Sequence, residues 1–442
     1  CTLAVPAGND PGPAAVLAAG SPRPRGRGAS PGGPLTCPAV SRPLQFALFF
    51  LVMLAVLSGM HWYLWARLVR DPQLADPWRR GLALAIALAG ASIPAGLFLS
   101  RLLPRPLPRF LPMAIFGWFG LAFLLFSALV AADLLRWGAA GIAWLWEAAR
   151  RIPDPPADPE RRLFLARAMA SGAALAASGS SLAGVRSATG PPQISEVPLR
   201  LSRLPPALSG LTIAQVSDLH VGPTFGQAEV RRVVEMVNAL RPDLVAVTGD
   251  LVDGKVAELR AAVGELSRLR SRWGTFFVTG NHEYYTNEVD PWLEELRRLG
   301  VSVLRNRRVA VGDRGPGGAT IDLAGIDDWR SRGLAPGHGP DLAAALAGRD
   351  PERSLVLLAH QPHGVPEATR AGVELQLSGH THGGQIFPFS LLVGLAYRYV
   401  KGLYTHEEGG ASAHVYVNRG TGYWGPPMRL LNPPEITKVV LS

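Results

Sequence analysis

Cysteine is nearly absent from this chain of 442 residues, since its two cysteines, Cys1 and Cys37, both lie near the N-terminus. The rest of the chain therefore cannot hold a disulfide framework or a cysteine-based zinc site. Lysine is missing from residues 1–200, where every basic side chain is arginine. Residues 201–442 carry 25 basic and 25 acidic side chains, so the net charge of +10 belongs entirely to residues 1–200. Those arginines flank apolar runs, which favours a membrane as the partner, and no nucleic acid is expected.

Long uncharged runs dominate the first half of the chain. Residues 1–42 are rich in Pro, Gly and Ala and are predicted to be disordered. A membrane region is predicted over residues 43–186, because three apolar runs approach or exceed the roughly 20 residues that a spanning helix needs. The predicted helices cover residues 44–66, 81–100 and 110–132, with a weaker fourth over 168–185, and a linker follows over 187–210.

Arg161 and Arg162 precede the weak fourth run, in the sequence RRLFL. The pair resembles a twin-arginine export signal in an internal position, and the alternative is a basic membrane flank. Arginine counts place the first and third loops between the helices in the cytoplasm. If residues 168–185 span the cytoplasmic membrane, the C-terminal domain lies outside it, which is the orientation we expect. If they do not, that domain is cytoplasmic.

From Leu211 onward, apolar runs of strand length alternate with longer amphipathic stretches. This alternation predicts an α/β domain over residues 211–442. The later strand-like runs have fewer helical stretches between them, which predicts a second and more antiparallel sheet.

Polar side chains follow five of the predicted strands at the point where each strand ends. The segments are SDLH, TGDLVD, TGNHE, AHQPH and SGHTH, and they contain Asp218, His220, Asp250, Asp253, Asn281, His282, Glu283, His360, His363, His380 and His382. Each segment alone has an ordinary alternative, such as an Asx turn or a helix cap. Because sites in open α/β sheets form at the carboxyl ends of strands, we expect these side chains to converge.

The chemistry of these groups indicates a metal centre. Carboxylates and imidazoles with one amide and no thiolate suit Mn, Fe or Zn. Seven candidate ligands are too many for one tetrahedral ion, whereas two ions that share a carboxylate would use all of them. Two divalent ions about 3.5–4 Å apart suit an in-line displacement at phosphorus.

As a set, the five segments resemble the calcineurin-like metallophosphoesterase superfamily, whose pattern is D-x-H, G-D-x-x-D, G-N-H-[DE], a later H, and G-H-x-H. The resemblance covers residues 211–385. The segments HGGQ and VNRGTGYWGPPM are similar to a bacterial membrane-anchored or exported branch. The resemblance implies a four-layer α/β/β/α sandwich, here preceded by three to four transmembrane helices.

The resemblance also implies a role for each matching residue. One divalent ion would be held by Asp218, His220 and His382, the other by Asn281, His360 and His380, and Asp250 would bridge them. A hydroxide shared by the two ions would be the nucleophile. His282 would stabilise the transition state or protonate the leaving oxygen. Asp253 and Glu283 would orient the ligands.

Other residues near the motifs have two interpretations. His363, Asp327 and Asp328 could contact the substrate, or they could be a solvated loop histidine and two turn-capping carboxylates. Six aromatic residues could form an apolar wall for a lipid or nucleotide, or simply anchor loops: Tyr284, Tyr285, Trp329, Phe387, Tyr423 and Trp424.

Two functions follow from these patterns. The leading one is a membrane-anchored phosphoesterase that hydrolyses phosphate mono- or diesters or pyrophosphate bonds, with lipid-linked phosphates favoured by location. The alternative is a non-catalytic metal-binding scaffold or sensor on a membrane anchor. Retention of all seven ligands and of His282 disfavours the scaffold.

Overall fold

The computed structural model describes residues 42–99, 108–150, 158–313, 315 and 318–442. The predicted disordered segment therefore lies outside the described residues, except for Arg42. Four long helices come first, and a π-helical turn follows the first of them. Their bounds are α1 (Arg42–Trp65), α2 (Trp78–Leu99), α3 (Phe110–Arg150) and α4 (Pro159–Thr189).

Three helical segments among the described residues are long and apolar enough to cross a membrane: Ala47–Arg70, Phe110–Ala149 and Pro159–Thr189. They contain the third and the weak fourth of the predicted spans, and all of the first except residues 44–46. The second predicted span is helical in α2, but α2 is not one of the three. The last residue of that predicted span, Ser100, lies outside the described residues.

Helix α4 starts earlier than the predicted fourth span because Asp158 caps it. The Asp158 carboxylate accepts hydrogen bonds from the backbone N–H groups of Glu160 and Arg161 at 3.0 and 3.1 Å.

The low hydrophobicity of α4 has a packing reason. Small residues recur every three or four positions and are buried: Ala170, Ala173, Ala177, Ser181, Gly184 and Ala188. Such a stripe lets neighbouring apolar helices approach closely.

The C-terminal region contains two six-stranded sheets within the described residues. In spatial order, the first sheet comprises β1 (Gln193–Leu199), β12 (Glu435–Leu441), β2 (Thr212–Val216), β3 (Leu244–Val247), β4 (Thr275–Phe277) and β5 (Ser302–Val303). The second comprises β10 (Gly402–Glu408), β11 (Ala411–Val417), β9 (Leu375–Ser378), β8 (Leu355–Leu358), β7 (Thr320–Gly325) and β6 (Arg307–Gly312). Antiparallel pairing in the second sheet is confined to its two edges, so the predicted antiparallel character holds only there.

The two sheets pack face to face between outer helices, which gives the expected four-layer α/β/β/α sandwich. Along β3, Leu244 and Ala246 belong to the core between the sheets, whereas Val245 and Val247 pack beneath helices. This alternation is the two-residue period of a strand buried on both faces. The helices that cover the first sheet are α5 (Gln227–Ala239), α6 (Val256–Val263) and α8 (Val289–Arg298). The second sheet is covered by α9 (Leu342–Leu346) and α10 (Val365–Arg370).

The predicted linker over residues 187–210 is not a linker throughout. Strand β1 lies within it and pairs in parallel with β12 over seven residues, from Gln193 with Glu435 to Leu199 with Leu441. The pairing partner of β1 lies at the far end of the chain. A strand whose partner is so distant has no local signal to identify it.

Candidate metal centre

One group of predicted ligands lies at the carboxyl ends of β2 and β9. Asp218 and His220 follow β2, and His382 follows β9. The Nε2 atoms of His220 and His382 are 3.0 Å apart, and His382 Nε2 is 3.4 Å from Asp218 Oδ1. One ligand atom from each of these three buried residues lies within 4.8 Å of the others, which is close enough to bind a single ion.

A second group combines the ends of β3, β8 and β9. Asp250 Oδ2 is 3.1 Å from His360 Nε2, and His360 Nε2 is 3.2 Å from His380 Nδ1. Asp250 Oδ2 also lies 3.8 Å from His220 Nε2, a member of the first group. Asp250 is therefore positioned between the two groups, as the bridging role requires.

Asn281 supplies an independent test of whether a cation fits. It is the first residue of α7 (Asn281–Tyr285), it is buried, and its Oδ1 atom has no hydrogen-bond partner. A buried amide oxygen without a partner costs about 1–3 kcal/mol. A divalent cation would satisfy this oxygen, and the surrounding carboxylate and imidazole donors suit such an ion. The residues present therefore fit a metal centre.

Backbone strain is concentrated at the same residues. Positive φ angles occur at Asp218 (53°), His220 (49°), Asp250 (50°), His380 (72°) and His382 (51°). The left-handed region is uncommon for residues other than glycine, and it costs roughly 1–2 kcal/mol per residue. Strained backbone of this kind is tolerated where the surrounding structure enforces it, typically at functional sites.

Neighbouring polar groups set the orientation of the ligands. His360 Nδ1 donates to the carbonyl oxygen of Thr248 at 2.8 Å, which leaves Nε2 available to the centre. Asp253 Oδ1 lies 3.1 Å from His220 Nδ1. This carboxylate therefore fixes the orientation of the His220 ring and leaves its Nε2 atom available to the centre. The Glu283 carboxylate accepts backbone hydrogen bonds from Gly280 and Asp250 and so secures the loop that carries Asp250.

Burial and neighbouring charges shift the pKa values of the histidines in different directions. Burial, with His360 nearby, lowers the pKa of His380 to about 3. Burial and the Arg429 guanidinium also lower the pKa of His382. Both imidazoles are therefore neutral, as metal binding requires. Burial alone would lower the pKa of His360, but Asp250 outweighs it and holds that pKa well above its ordinary value.

His282 lies at the open edge of the centre. Its Nδ1 atom is 2.6 Å from Asp253 Oδ1, and its Nε2 atom is 4.0 Å from Asp250 Oδ2. Burial alone would lower the pKa of His282, but Asp250 and Asp253 outweigh it and raise the pKa to about 9. Two of the six aromatic residues flank the imidazole, with ring centroids 5.3 Å (Tyr285) and 5.6 Å (Trp424) away.

The remaining aromatic candidates divide between loop anchors and exposed positions. Tyr284 and Tyr423 are buried and bond to His338 and to the Thr224 carbonyl, so they anchor loops. Trp329 lies against Gly364, where an added Cβ would meet its indole ring. Phe387 is exposed.

The two aspartates of the AGIDDW segment are occupied by structural contacts. Asp327 binds Arg305 through both carboxylate oxygens, at 3.0 and 2.8 Å. Asp328 accepts from Gln361 and from the backbone N–H of Arg330, and it caps a short 3₁₀ turn. The contacts of Asp328 favour the turn-capping interpretation, whereas Asp327 is held by its ion pair with Arg305. His363 is exposed, as a solvated loop histidine would be.

Two further residues touch the ligands and were not predicted from the sequence. The hydroxyl of Tyr397 lies 3.0 Å from His380 Nε2. Arg429 is 1% exposed, and its guanidinium donates to His382 Nδ1 at 3.0 Å and to the His382 carbonyl at 3.0 Å. The sequence did offer a signal for Arg429, since it lies inside the apolar segment PPMRLL. A guanidinium buried there needs several hydrogen-bond acceptors, which points to a polar site nearby.

Comparison with known proteins gives a consistent result. The model of the calcineurin-like phosphoesterase family matches residues 211–384. A transmembrane protein with metallophosphoesterase domain from Danio rerio is 44% identical over 239 residues, which is 53% of this chain and 54% of that protein. An uncharacterized metallophosphoesterase from Aquifex aeolicus is 33% identical over 233 residues, covering 52% of this chain and 85% of that protein. The metallophosphoesterase YkuE of Bacillus subtilis is 33% identical over 241 residues, covering 53% of this chain and 79% of that protein.

The relatives match about half of this chain, and the family model matches residues 211–384. This chain spans about half the length of the Danio rerio and Bos taurus relatives that it matches. The coverage of the Aquifex aeolicus protein is greater, at 85% of its length. The family match over residues 211–384 includes all of the segments that carry the predicted ligands.

Proposed function

Because the chain belongs to the calcineurin-like metallophosphoesterase family, we propose that it is a membrane-anchored, metal-dependent phosphoesterase. The reaction would be hydrolysis of phosphate mono- or diesters or of pyrophosphate bonds. The observation that carries this proposal is the pair of ligand groups with Asp250 between them. Asn281, whose buried side-chain oxygen has no partner, directly precedes His282, and the His282 backbone N–H donates to Asp250.

We infer that two divalent ions bind, one to each group of ligands. Asp218, His220 and His382 form the first group, and Asp250, His360 and His380 form the second. Bound divalent ions lower the pKa of water and thereby supply a nucleophile at neutral pH. The absence of thiolate ligands favours Mn, Fe or Zn.

His282 is the proposed general acid. Asp253 holds its Nδ1 side, so its Nε2 side is directed toward the part of the site that contains Asp250. Burial lowers the pKa of this imidazole, but the neighbouring carboxylates of Asp250 and Asp253 outweigh it, which favours the protonated form that can donate a proton to the leaving oxygen. Tyr285 and Trp424 flank the ring and limit access of water to it.

The proposed location is the cytoplasmic membrane, with the catalytic domain on its outer side. Arg109, just before α3, bonds to Glu229, and Arg232 bonds to the carbonyl of Thr189 at the end of α4. The start of α3 and the end of α4 therefore lie on the same side as the catalytic domain. With α2 counted as a fourth span, the arginine bias of the loops supports the outer side. Accessibility of an engineered tag at residue 442 in intact spheroplasts would test this orientation.

The function is tested on the full chain purified in detergent. We expect turnover of an aryl phosphate, a bis-aryl phosphodiester or pyrophosphate that depends on added Mn²⁺, Fe²⁺ or Zn²⁺. Asp250→Asn should lose activity and metal, whereas Asp243→Asn is a matched control because Asp243 precedes the same strand and bonds Thr212. No metal-dependent turnover of any of these esters would refute the proposal.

The same preparation separates the enzyme from the alternative of a non-catalytic scaffold. Elemental analysis that finds two ions per chain, together with turnover, supports the enzyme. A chain that folds and binds metal but turns over none of these esters would favour the metal-binding scaffold.

A further inference from the structure

An uncharged helix borders the metal centre and exposes its large side chains. Helix α11 (Phe389–Ala396) has the sequence FSLLVGLA. Its apolar side chains and that of the preceding Phe387 are well exposed within the described structure, and we call this surface the rim face. The rim face comprises Phe387 (41% exposed), Phe389 (48%), Leu391 (61%), Leu392 (59%) and Leu395 (86%). Contiguous apolar surface of this kind marks a site of interaction with a protein or a membrane.

Both ends of α11 are attached to the metal-binding loop. At its C-terminal end, the Tyr397 hydroxyl lies 3.0 Å from His380 Nε2. At its N-terminal end, Ser390 packs so tightly on Gly384 that a Cβ there would lie 2.6 Å from the Ser390 Cβ. Gly384 lies two residues after the predicted ligand His382. The rim face is therefore a fixed wall of the site and not a separate surface.

The rim face also adjoins the membrane helices. Helix α3 has 41 residues and is about 60 Å long, whereas the hydrocarbon core of a bilayer is about 30 Å thick. Roughly half of α3 must therefore lie outside the hydrocarbon. The first part of α3 contacts the catalytic domain, with Phe123 packed edge-on against Phe389 at 6.4 Å between ring centroids. Farther along α3 the apolar side chains are exposed, as at Leu135 (76%) and Trp137 (58%).

Helix α11 thus packs against the first half of α3, a helix that is long and apolar enough to cross a membrane. Its exposed leucines therefore stand beside a candidate membrane span instead of forming an isolated patch. Basic side chains, Arg398 and Lys401, follow the helix and are exposed. Across the rim, Trp424 (55% exposed) and Leu431 (71% exposed) extend the apolar surface. A short apolar helix flanked by basic and aromatic residues suits the interface between acyl chains and anionic headgroups.

We propose that the rim face of α11 inserts into the bilayer interface, so that the metal centre opens onto the headgroup layer and takes phosphoesters whose apolar part stays in the membrane. The substrate half of this inference rests on the phosphoesterase function proposed above, whereas the insertion half does not. The metal centre and the inserted helix are joined through Tyr397 and Gly384, so a lipid phosphate held beside α11 is delivered to the ligands without leaving the membrane.

Insertion is tested by fluorescence quenching with the full chain in phosphatidylcholine–phosphatidylglycerol vesicles. In a Cys1→Ser, Cys37→Ser background, Leu395→Cys is labelled with an environment-sensitive fluorophore. Ala344→Cys in α9 is the matched control, because α9 packs beside β6 and β7 at the opposite edge of the second sheet from β10. We expect nitroxide-labelled lipids to quench the label at residue 395 and not the label at residue 344.

Equal quenching at both positions, or none at residue 395, would overturn the inference. Protection of residue 395 that disappears on dilution of the protein in the membrane would also overturn it, because a second copy would then cover the rim face. This readout needs no turnover, so it stands even if the chain proves not to be a phosphoesterase.

The substrate class is tested with Leu391→Ser combined with Leu395→Ser. The measured quantity is the ratio of turnover on phosphatidic acid or a polyprenyl diphosphate in vesicles to turnover on a soluble aryl phosphate. We expect this ratio to fall at least about tenfold, since two leucines lose their bilayer contact. An unchanged ratio, or wild-type turnover confined to the soluble ester, would overturn the assignment of a membrane substrate. Failure of the wild type on all esters would refute the proposed function instead.

Discussion

Gly249 offers a sharp test of how closely the strand ends must approach to build the centre. It precedes Asp250 and has a φ of 86°. A Cβ at this position would lie 2.6 Å from the backbone nitrogen of Gly280, 2.8 Å from its Cα and 2.8 Å from His360 Nδ1. Gly249→Ala therefore drives apart three loops, which carry Asp250, Asn281 and His360.

The expected cost has two parts. The positive φ costs roughly 1–2 kcal/mol for alanine, and overpacking against fixed backbone costs typically about 1–3 kcal/mol. The free energy of unfolding should fall by about 2–5 kcal/mol in total. Activity should fall further, because a misplacement of about 1 Å can cost on the order of 100-fold in rate.

The control is Gly210→Ala. Gly210 has a φ of 90°, and nothing lies within 4 Å of an added Cβ there. It should show the backbone cost alone, with full metal content and activity. The assays are thermal unfolding in detergent, elemental analysis and metal-dependent hydrolysis of an aryl phosphate. If Gly249→Ala matched Gly210→Ala in all three measurements, the argument that these loops converge at close contact would be wrong.

Three further substitutions probe other parts of the molecule. His282→Gln should keep its metal but lose about 10²–10⁴ in kcat, measured on an ester with a poor leaving group, and an unchanged kcat would exclude the acid role. Arg429→Met leaves buried carbonyls of His382 and Gly422 without donors, so it should destabilise the fold by at least about 2 kcal/mol and weaken metal binding; normal metal affinity would contradict this. Glu374→Gln tests a pH dependence: burial would raise the pKa of Glu374, but donors from Ser202 and Ser354 outweigh it and lower the pKa. The carboxylate therefore stabilises the fold above its unfolded-state pKa, and this stabilisation is lost as the pH falls through its lowered folded-state pKa. Glu374→Gln should lower the melting temperature more at pH 7 than in acid. An equal loss at the two pH values would refute the argument.

Much of the catalytic domain could be predicted from local patterns. The strand that ends before Asp250 carries the uninterrupted apolar run LVAV, and the strand that ends before Asp218 carries TIAQV, in which Gln215 is the one polar interruption after Thr212. The four-layer architecture is confirmed by the two sheets and their outer helices. The assignment of each ligand to one ion stays a prediction until metal is measured.

Other features had no local signal. Strand β1 was predicted to be part of a linker. It was missed as a strand because its partner, β12, is more than two hundred residues away along the chain. Arg429 and Tyr397 were missed because their importance comes from the histidines they touch, which belong to a different loop. Helix α11 was not singled out, since FSLLVGLA is too short to suggest a membrane segment.

The sequence alone determined the chemistry of this protein. It specified which donor groups are available, in which order they occur, and that apolar helices precede them, because these properties belong to residues and to short-range periodicity. Only the tertiary structure decided which donors meet, that Asn281 keeps an unpartnered oxygen, and that an exposed apolar helix forms a wall of the centre beside α3. Those facts depend on contacts between segments far apart in the chain, and such contacts are set by the packing of whole sheets and helices.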